Sequence, residues 1–144
     1  MATVFEHSII IERPISEVFQ YVADWQNTVE WQAGTGQVTV VPEGSLRIGA
    51  MVTQERKRGW LFNADVVDYQ PNKVLALRGI LGRWQVRDTY TFMPVGRTTK
   101  ITIERVTPGG FFTRLMAPFM PMRIRRQIND DLARLKAILE AKER

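Results

Sequence analysis

Apolar and polar positions along the chain follow three successive regimes. Residues 3–12 carry Val4-Phe5-Glu6-His7-Ser8-Ile9-Ile10-Ile11-Glu12, rich in β-branched side chains and partly alternating, which predicts a strand. Pro14 stops it. Proline suits a first helical turn, and Val18, Phe19 and Val22 then recur with helical spacing, predicting a short helix over Ile15 to Ala23. Asp24 is placed to cap a second short turn, "DWQNTVEW", which gathers Trp25, Val29 and Trp31 before Gly34 and Gly36 end it.

From Gln37 to Thr107 the period shortens to two. Six further strands are expected at 37–42, 50–58, 60–70, 73–80, 84–94 and 98–107, divided by "PEGS", "KRG", "QPNK", "LGR" and "PVGR". Such short, regularly spaced turns predict an antiparallel meander rather than parallel crossovers. After Gly109-Gly110 the pattern turns helical. Ile124, Ile128, Leu132, Leu135 and Leu139 form an apolar stripe backed by Arg126, Asp130, Arg134 and Lys136. That stripe needs an apolar partner, and one face of the sheet is the only large one. The expected fold is therefore α+β: a seven-stranded curved antiparallel sheet wrapped around a long C-terminal helix, with two short helices between strands 1 and 2. A curved sheet and one helix leave space between them, so a cavity is a natural by-product.

Composition narrows the chemistry. The 144 residues, 44% hydrophobic, suit one domain spanning 1–144 with one core. There is no cysteine, which rules out disulfides and thiolate chemistry and fits a reducing cytoplasm as the expected compartment. The start "MATVFEHSIIIERP" has neither the basic flank nor the apolar length of a leader, and no window reaches the roughly 20 apolar residues of a membrane span. His7 is the only histidine, so a multi-histidine metal site is impossible and a partly buried structural role is expected for it. "GTG" at 34–36 lacks dinucleotide-binding spacing and no phosphate-binding GKS or GKT occurs, so no cofactor is expected. A net charge of +5 favours weak attraction to anionic surfaces. Trp60 beside "ERKRG" falls at a hairpin tip without any base-reading motif, and nucleic acid is not an expected partner.

The stretch "IIIERPISEVFQYVADWQNTVEW" resembles the strand, proline, helix and Asp-aromatic entry of the SRPBCC superfamily, the START-like helix-grip proteins, in its polyketide cyclase/dehydrase branch. "VVDYQPNKVLALRG", "DTYTFMPVGRTTKITI" and "APFMPMRIRRQINDDLARLKAILEA" are similar in the same order, so the likeness spans about residues 4 to 142. The resemblance implies a deep pocket for lipids, polyketides, isoprenoids or other apolar small molecules. It implies no single reaction, because some members catalyse cyclisation or dehydration and many only bind or carry.

Alternation assigns the pocket's walls. In 84–92, Trp84, Val86, Asp88, Tyr90 and Phe92 share the face expected to point inward. Phe62, Ala64, Val66 and Asp68 share another, and Ile101 and Ile103 supply a third strand's inner pair. Each is also an ordinary core residue. The candidate ligand-binding set takes Trp31, Phe62, Ala64, Val66, Trp84, Val86, Asp88, Tyr90, Ile101 and Ile103, joined by Met116, Phe119, Met120 and Ile124 from the approach to the last helix. Asp88 is the most informative, because a carboxylate among aromatics costs several kcal/mol unless paired or wet. Either it is a strand-end aspartate in solvent or it meets an arginine: Arg105, which shares parity with Ile101 and Ile103, or Arg56 or Arg78 on other strands. Asp88, Tyr90 and Arg105 are thus the candidate catalytic residues, able to orient a carbonyl or support acid/base steps.

The segment "PGGFFTRLMAPFMPMRIRRQ", 108–127, cannot be one straight helix. Phe112, Leu115, Met116 and Phe119 centre about 170° from Ile124, Ile128, Leu132 and Leu135, so one rod cannot bury both sets. Pro118 and Pro121 predict a break between Ala117 and Met122, with the front piece as a lid. Arg123, Arg125 and Arg126 follow, either as a solvated face or as a transient contact with an anionic membrane surface. The leading expectation is binding or transport of a hydrophobic small molecule. The alternatives are a metal-free polyketide cyclase or dehydrase, and a peripheral membrane or protein-partner adaptor using 108–127.

Overall fold

The computed structural model describes residues 2–44, 46–56, 61–81, 84–107 and 121–141, with the side chains of 2–5, 81, 84, 107 and 121–125 outside that description. The elements run β1 (Ala2–Ile11), α1 (Ile15–Ala23), a 3-10 turn (Trp25–Asn27), α2 (Thr28–Trp31), β2 (Val38–Val41), β3 (Met51–Glu55), β4 (Leu61–Gln70), β5 (Val74–Leu81), β6 (Trp84–Val95), β7 (Thr98–Thr107) and α3 (Pro121–Ala141). The seven strands form one antiparallel sheet in the order β1-β7-β6-β5-β4-β3-β2. This is the expected helix-grip architecture, with the third strand described over Met51–Glu55 and residues 57–58 of its expected span outside the described residues.

Local chemistry accounts for the entry helices. Pro14 caps α1 in extended geometry, and Val18, Phe19, Tyr21, Val22 and Ala23 are buried beneath it. Each large apolar side chain so buried contributes roughly 1.5–3 kcal/mol. Asp24 accepts from the Gln26 amide at 3.3 Å and starts the 3-10 turn, while the Thr28 hydroxyl donates to the Trp25 carbonyl at 2.7 Å. Trp25 and Trp31 are buried as expected, but Val29 is half exposed and does not join them. It lies on the outer side of a single helical turn, two residues from Trp31, and residues two apart do not share a helix face.

Below α1, Phe19 packs edge-on against Tyr69 and Phe92, with ring centroids 5.4 and 4.9 Å apart. These rings fill one end of the sheet's concave side. Asp68 leaves its expected inward row because the β4–β5 register shifts between Val66 and Asp68, which brings Tyr69 toward the core instead.

α3 begins at Pro121, inside the window where the prolines predict a break, and Leu132, Leu135 and Leu139 are buried against the core. The lid expected over 108–120 lies outside the described residues. Two sets of polar ties fix α3. Near its end, the Lys136 ammonium donates to the Ile10 carbonyl at 2.9 Å, the Glu140 carboxylate accepts from the Glu12 amide at 2.8 Å, and Arg13 Nε donates to the Leu139 carbonyl at 2.9 Å. In its middle, Asp131 accepts from the Ala33 amide at 3.0 Å and Arg134 donates to the Trp31 carbonyl at 2.9 Å, closing the C-terminus of α2.

Gly79 permits the close packing of β4 on β5. A Cβ there would lie 2.0 Å from the Asn63 carbonyl oxygen and 2.6 Å from Ala64 Cα, both backbone atoms that cannot move aside. Gly79→Ala is therefore expected to destabilise the protein by at least about 1–3 kcal/mol in urea unfolding, the usual cost of overpacking.

Candidate functional site

The site lies at the other end of the concave face, away from α1. On β6 the inward row Val86, Asp88, Tyr90 and Phe92 is buried, while Gln85, Arg87 and Thr91 are exposed. On β7 the matching row is Ile101, Ile103 and Arg105. The β6–β7 register sets Asp88 opposite Arg105 and Tyr90 opposite Ile103. Asp88 is thus an internal residue, 4% exposed, and not a strand-end aspartate in solvent. Arg105 Nε and Nη2 donate to its two oxygens at 2.7 and 2.8 Å, a two-pronged charge-assisted pair.

Burial works against the Arg105 charge, but Asp88's charge and hydrogen bonds outweigh it and hold the guanidinium above its ordinary value. Burial, followed by the Asp88 charge, pushes the Tyr90 hydroxyl well above the ordinary tyrosine value. Tyr90 therefore remains a phenol at neutral pH, available as a donor and unavailable as a base.

A second polar group enters from β3 and α2. Gln54 continues the inward row of Val52, and its amide nitrogen donates to the Thr28 hydroxyl at 3.0 Å and to Gln32 Oε1 at 3.1 Å. Arg56, the next inward residue, donates through Nη1 to Gln32 Oε1 at 2.9 Å and to Gln54 Oε1 at 3.2 Å. Arg78, the third arginine considered as a partner for Asp88, is exposed and pairs in register with Arg87 on the opposite face. From α3, Asp131 is buried and its carboxyl is raised by that burial, although the Ala33 amide and the Arg56 and Arg134 charges oppose the rise.

These groups line a partly open cavity of about 160 Å³. One wall is aromatic and aliphatic: Trp25, Trp31, Phe62, Tyr90, Ile103 and Ile128. The other is polar: Gln32, Gln54, Arg56, Asp88, Arg105, Gln127 and Asp131. Trp25 meets Tyr90 edge-on at 6.0 Å. A cavity of similar volume holds benzene in another protein, so the space suits one ring-sized body.

Of the residues expected to line a pocket, the structure brings Trp31, Phe62, Asp88, Tyr90, Ile103 and Arg105 together around the cavity. Ala64, Val66, Val86 and Ile101 are buried but do not line it. Ile101 pairs with Phe92, which packs under Phe19, and Ala64, Gly79 and Val86 make one cross-strand row of short side chains in the packed core. Trp84 belongs to β6 with its side chain undescribed, Ile124 belongs to α3 likewise, and Met116, Phe119 and Met120 fall outside the described residues. Sequence reasoning did not place Trp25, Gln32, Gln54, Gln127, Ile128 or Asp131 at the site and treated Arg56 only as a partner for Asp88. The parity of Val52, Gln54 and Arg56 carried a signal, as did Asp131, three residues after Ile128 on the helical stripe. His7, on β1 opposite Ile103, is partly buried. Among the described residues no three histidine or acidic side chains converge to hold a metal ion, and no helix is long and apolar enough to cross a membrane.

Residues 2–140 match the family model for polyketide cyclase / dehydrase and lipid transport proteins, and the chain belongs to that family. No curated protein matches it. Solved structures share the fold at low identity. DynU16, a protein in the dynemicin biosynthetic locus, superposes with a TM-score of 0.73 at 18% identity over 96% of this chain, which spans 47% of that one. The hypothetical protein jhp0584 of Helicobacter pylori gives 0.75 at 16%, covering 92% of this chain and 85% of its own. TTHA0849 of Thermus thermophilus gives 0.72 at 15%, covering 96% and 98%.

Two outcomes test the electrostatics. Asp88→Asn leaves the Arg105 charge buried without its counter-ion and is expected to cost about 3–5 kcal/mol in denaturant unfolding, whereas Asp88→Leu combined with Arg105→Met recovers most of that loss. Asp131 has a raised carboxyl in the folded state, so the folded protein holds its proton longer than the unfolded chain. Its contribution to stability is complete below the ordinary aspartate value, roughly 4, and is lost as pH rises through the raised folded value. The stability of the native protein relative to Asp131→Asn should accordingly fall as pH is raised from 4, and a difference that does not change with pH would count against this account.

Proposed function

We propose that the protein binds a compact hydrophobic small molecule in the cavity between the sheet and α3, with its apolar body on the aromatic wall and a polar end toward the polar wall that holds Gln32, Gln54, Arg56 and Arg105. The observation that carries this reading is the division of one cavity into an aromatic side and a hydrogen-bonding side, the usual makeup of a small-molecule site. Membership of a family described by polyketide cyclisation, dehydration and lipid transport supports the same class of ligand. The volume favours a ring-sized body over an extended acyl chain in the space walled by the described residues.

Chemistry on a bound ketone is the second reading, favoured by Tyr90 and Arg105 both lining the cavity. Both oxygens of Asp88 are engaged by Arg105, and Tyr90 stays protonated, so neither is poised as a base. What remains to an enzyme here is polarisation of a carbonyl by donors. The adaptor reading rests on residues 108–127, of which 108–120 lie outside the described residues.

Benzyl alcohol, a neutral ring with one hydroxyl, is the test ligand. It is expected to shift the Trp25 and Trp31 indole N–H resonances saturably and to raise the unfolding midpoint. Ile103→Phe, which places a ring in the cavity, should weaken binding at least fivefold. Absence of a saturable response to benzyl alcohol and to toluene, indole and cyclohexanol would overturn the reading.

A further inference from the structure

The hydrogen-bonding capacity of the cavity is lopsided. Asp88 is satisfied by Arg105 on both oxygens. Asp131 is satisfied by the Ala33 amide and by Arg134 Nη1 at 3.3 Å. Gln32 Oε1 accepts twice and Gln54 Oε1 once. Both oxygens of Asp88 and the side-chain oxygens of Gln32 and Gln54 are thus engaged, and Asp131 is engaged through Oδ1.

Arg56 is the chief donor left open. Its Nη1 reaches only amide oxygens, and among the described residues no carboxylate comes within 4 Å of its guanidinium, nor do Nε and Nη2 have hydrogen-bond partners. The indole N–H groups of Trp25 and Trp31 are buried and likewise without a partner among the described residues. Both tryptophans line the cavity together with Arg56. The open edge of Arg56, lining the cavity with no hydrogen-bond partner among the described residues, is informative about what enters it.

Charge points the same way. Two guanidinium groups, Arg56 and Arg105, and two carboxylates, Asp88 and Asp131, line the cavity. Asp88 pairs directly with Arg105 at 2.7 Å and Asp131 with Arg134 at 3.3 Å, so among the described residues no carboxylate pairs directly with Arg56. Burial and the nearby Arg105 charge both work against the Arg56 cation, and the more distant Asp131 and Asp88 relieve it only partly. Arginine does not escape this strain by losing its proton, because its intrinsic pKa is too high. A single negative charge delivered to Nε and Nη2 relieves it, and a planar carboxylate fits a guanidinium edge with two parallel hydrogen bonds.

We infer that the ligand is a compact organic monocarboxylate, with its carboxylate on the free edge of Arg56 and a ring-sized apolar body against Trp25, Trp31 and Phe62. This rests on the cavity-binding reading and narrows it from neutral apolar molecules to amphiphilic acids. The one unpaired guanidinium edge suits a monoanion, and the space of about 160 Å³ walled by the described residues suits a body of one ring. An acid lacking the apolar body leaves the aromatic wall uncovered, and an alcohol lacking the charge leaves Arg56 as it was.

The experiment compares benzoate, benzyl alcohol and acetate on the full chain by titration calorimetry at pH 7 and fixed ionic strength. Benzoate is expected to bind at least tenfold more tightly than benzyl alcohol and more tightly still than acetate. In Arg56→Gln the benzoate to benzyl alcohol ratio should fall to near one, and Arg56→Lys, which keeps the charge without the planar fork, should be intermediate. Because the quantity is a ratio, a variant that merely loosens the fold lowers both affinities and leaves it unchanged, and that result overturns the proposal. Benzyl alcohol binding as well as benzoate in the native protein overturns the carboxylate while leaving the cavity reading intact. Acetate binding as tightly as benzoate overturns the apolar half. Failure of both ring compounds to bind overturns the cavity reading and this inference with it. As an independent readout, the Arg56 Nε–H resonance should move with benzoate, and its indifference would equally count against the assignment.

Discussion

The concave face of the sheet carries charge, and the layout of that end of the molecule follows from how the charge is compensated. Asp88 lies on the β6 row between Val86 and Tyr90, and the sheet can hold it there because the β6–β7 register delivers Arg105 directly opposite. A shift of one residue would turn every inward side chain of β7 outward and strand the carboxylate. The pair thus ties the registry of the two strands to the electrostatics of the cavity. Removing water from two such charges costs more than their attraction returns unless the geometry is two-pronged, as it is here.

The same constraint reaches α2 and α3. Asp131 is a third buried charge, and it is supported by the amide just beyond α2 and by Arg134 one turn along its own helix. Charge compensation therefore docks the short helix onto the long one and shapes the cavity's rim as a consequence. The far end of the concave face needs no such devices, since Phe19, Tyr69 and Phe92 fill it with edge-on rings. One end of the sheet is solidly packed and the other is hollow and polar, which explains why several inward residues belong to the core and not to the site.

The fold was legible because it rests on periodicity. The strand alternation from Gln37 to Thr107 and the stripe Ile128, Leu132, Leu135 and Leu139 state which faces are buried, and the turns state where direction reverses. The Asp88–Arg105 pair was partly legible, since parity placed both side chains inward, but three arginines were eligible and only the register chose among them. Parity cannot say how deep along a strand an inward residue lies, so Val66, Val86 and Ile101 were indistinguishable from Phe62 and Ile103. The amide network was harder still. Thr28, Gln32, Gln54 and Arg56 come from a helical turn and a strand more than twenty residues apart, and glutamine carries no periodic signal of its own.

The sheet order has a consequence for how the molecule is made. β1 is completed only by β7, with Ile11 paired to Thr99 and Ala2 to Thr107, while β2 through β7 each pair with the segment next to them in sequence. A ribosome adding about 5–20 residues per second leaves β1 without its partner for roughly 5–20 s after it emerges. During that interval the meander can assemble hairpin by hairpin, whereas the Ile9-Ile10-Ile11 run waits as an unpaired apolar edge. The long-range closure is the slow event that sequence separation imposes on such topologies. α3 follows it, and its ties to Ile10 and Glu12 can form only once β1 has been set in place.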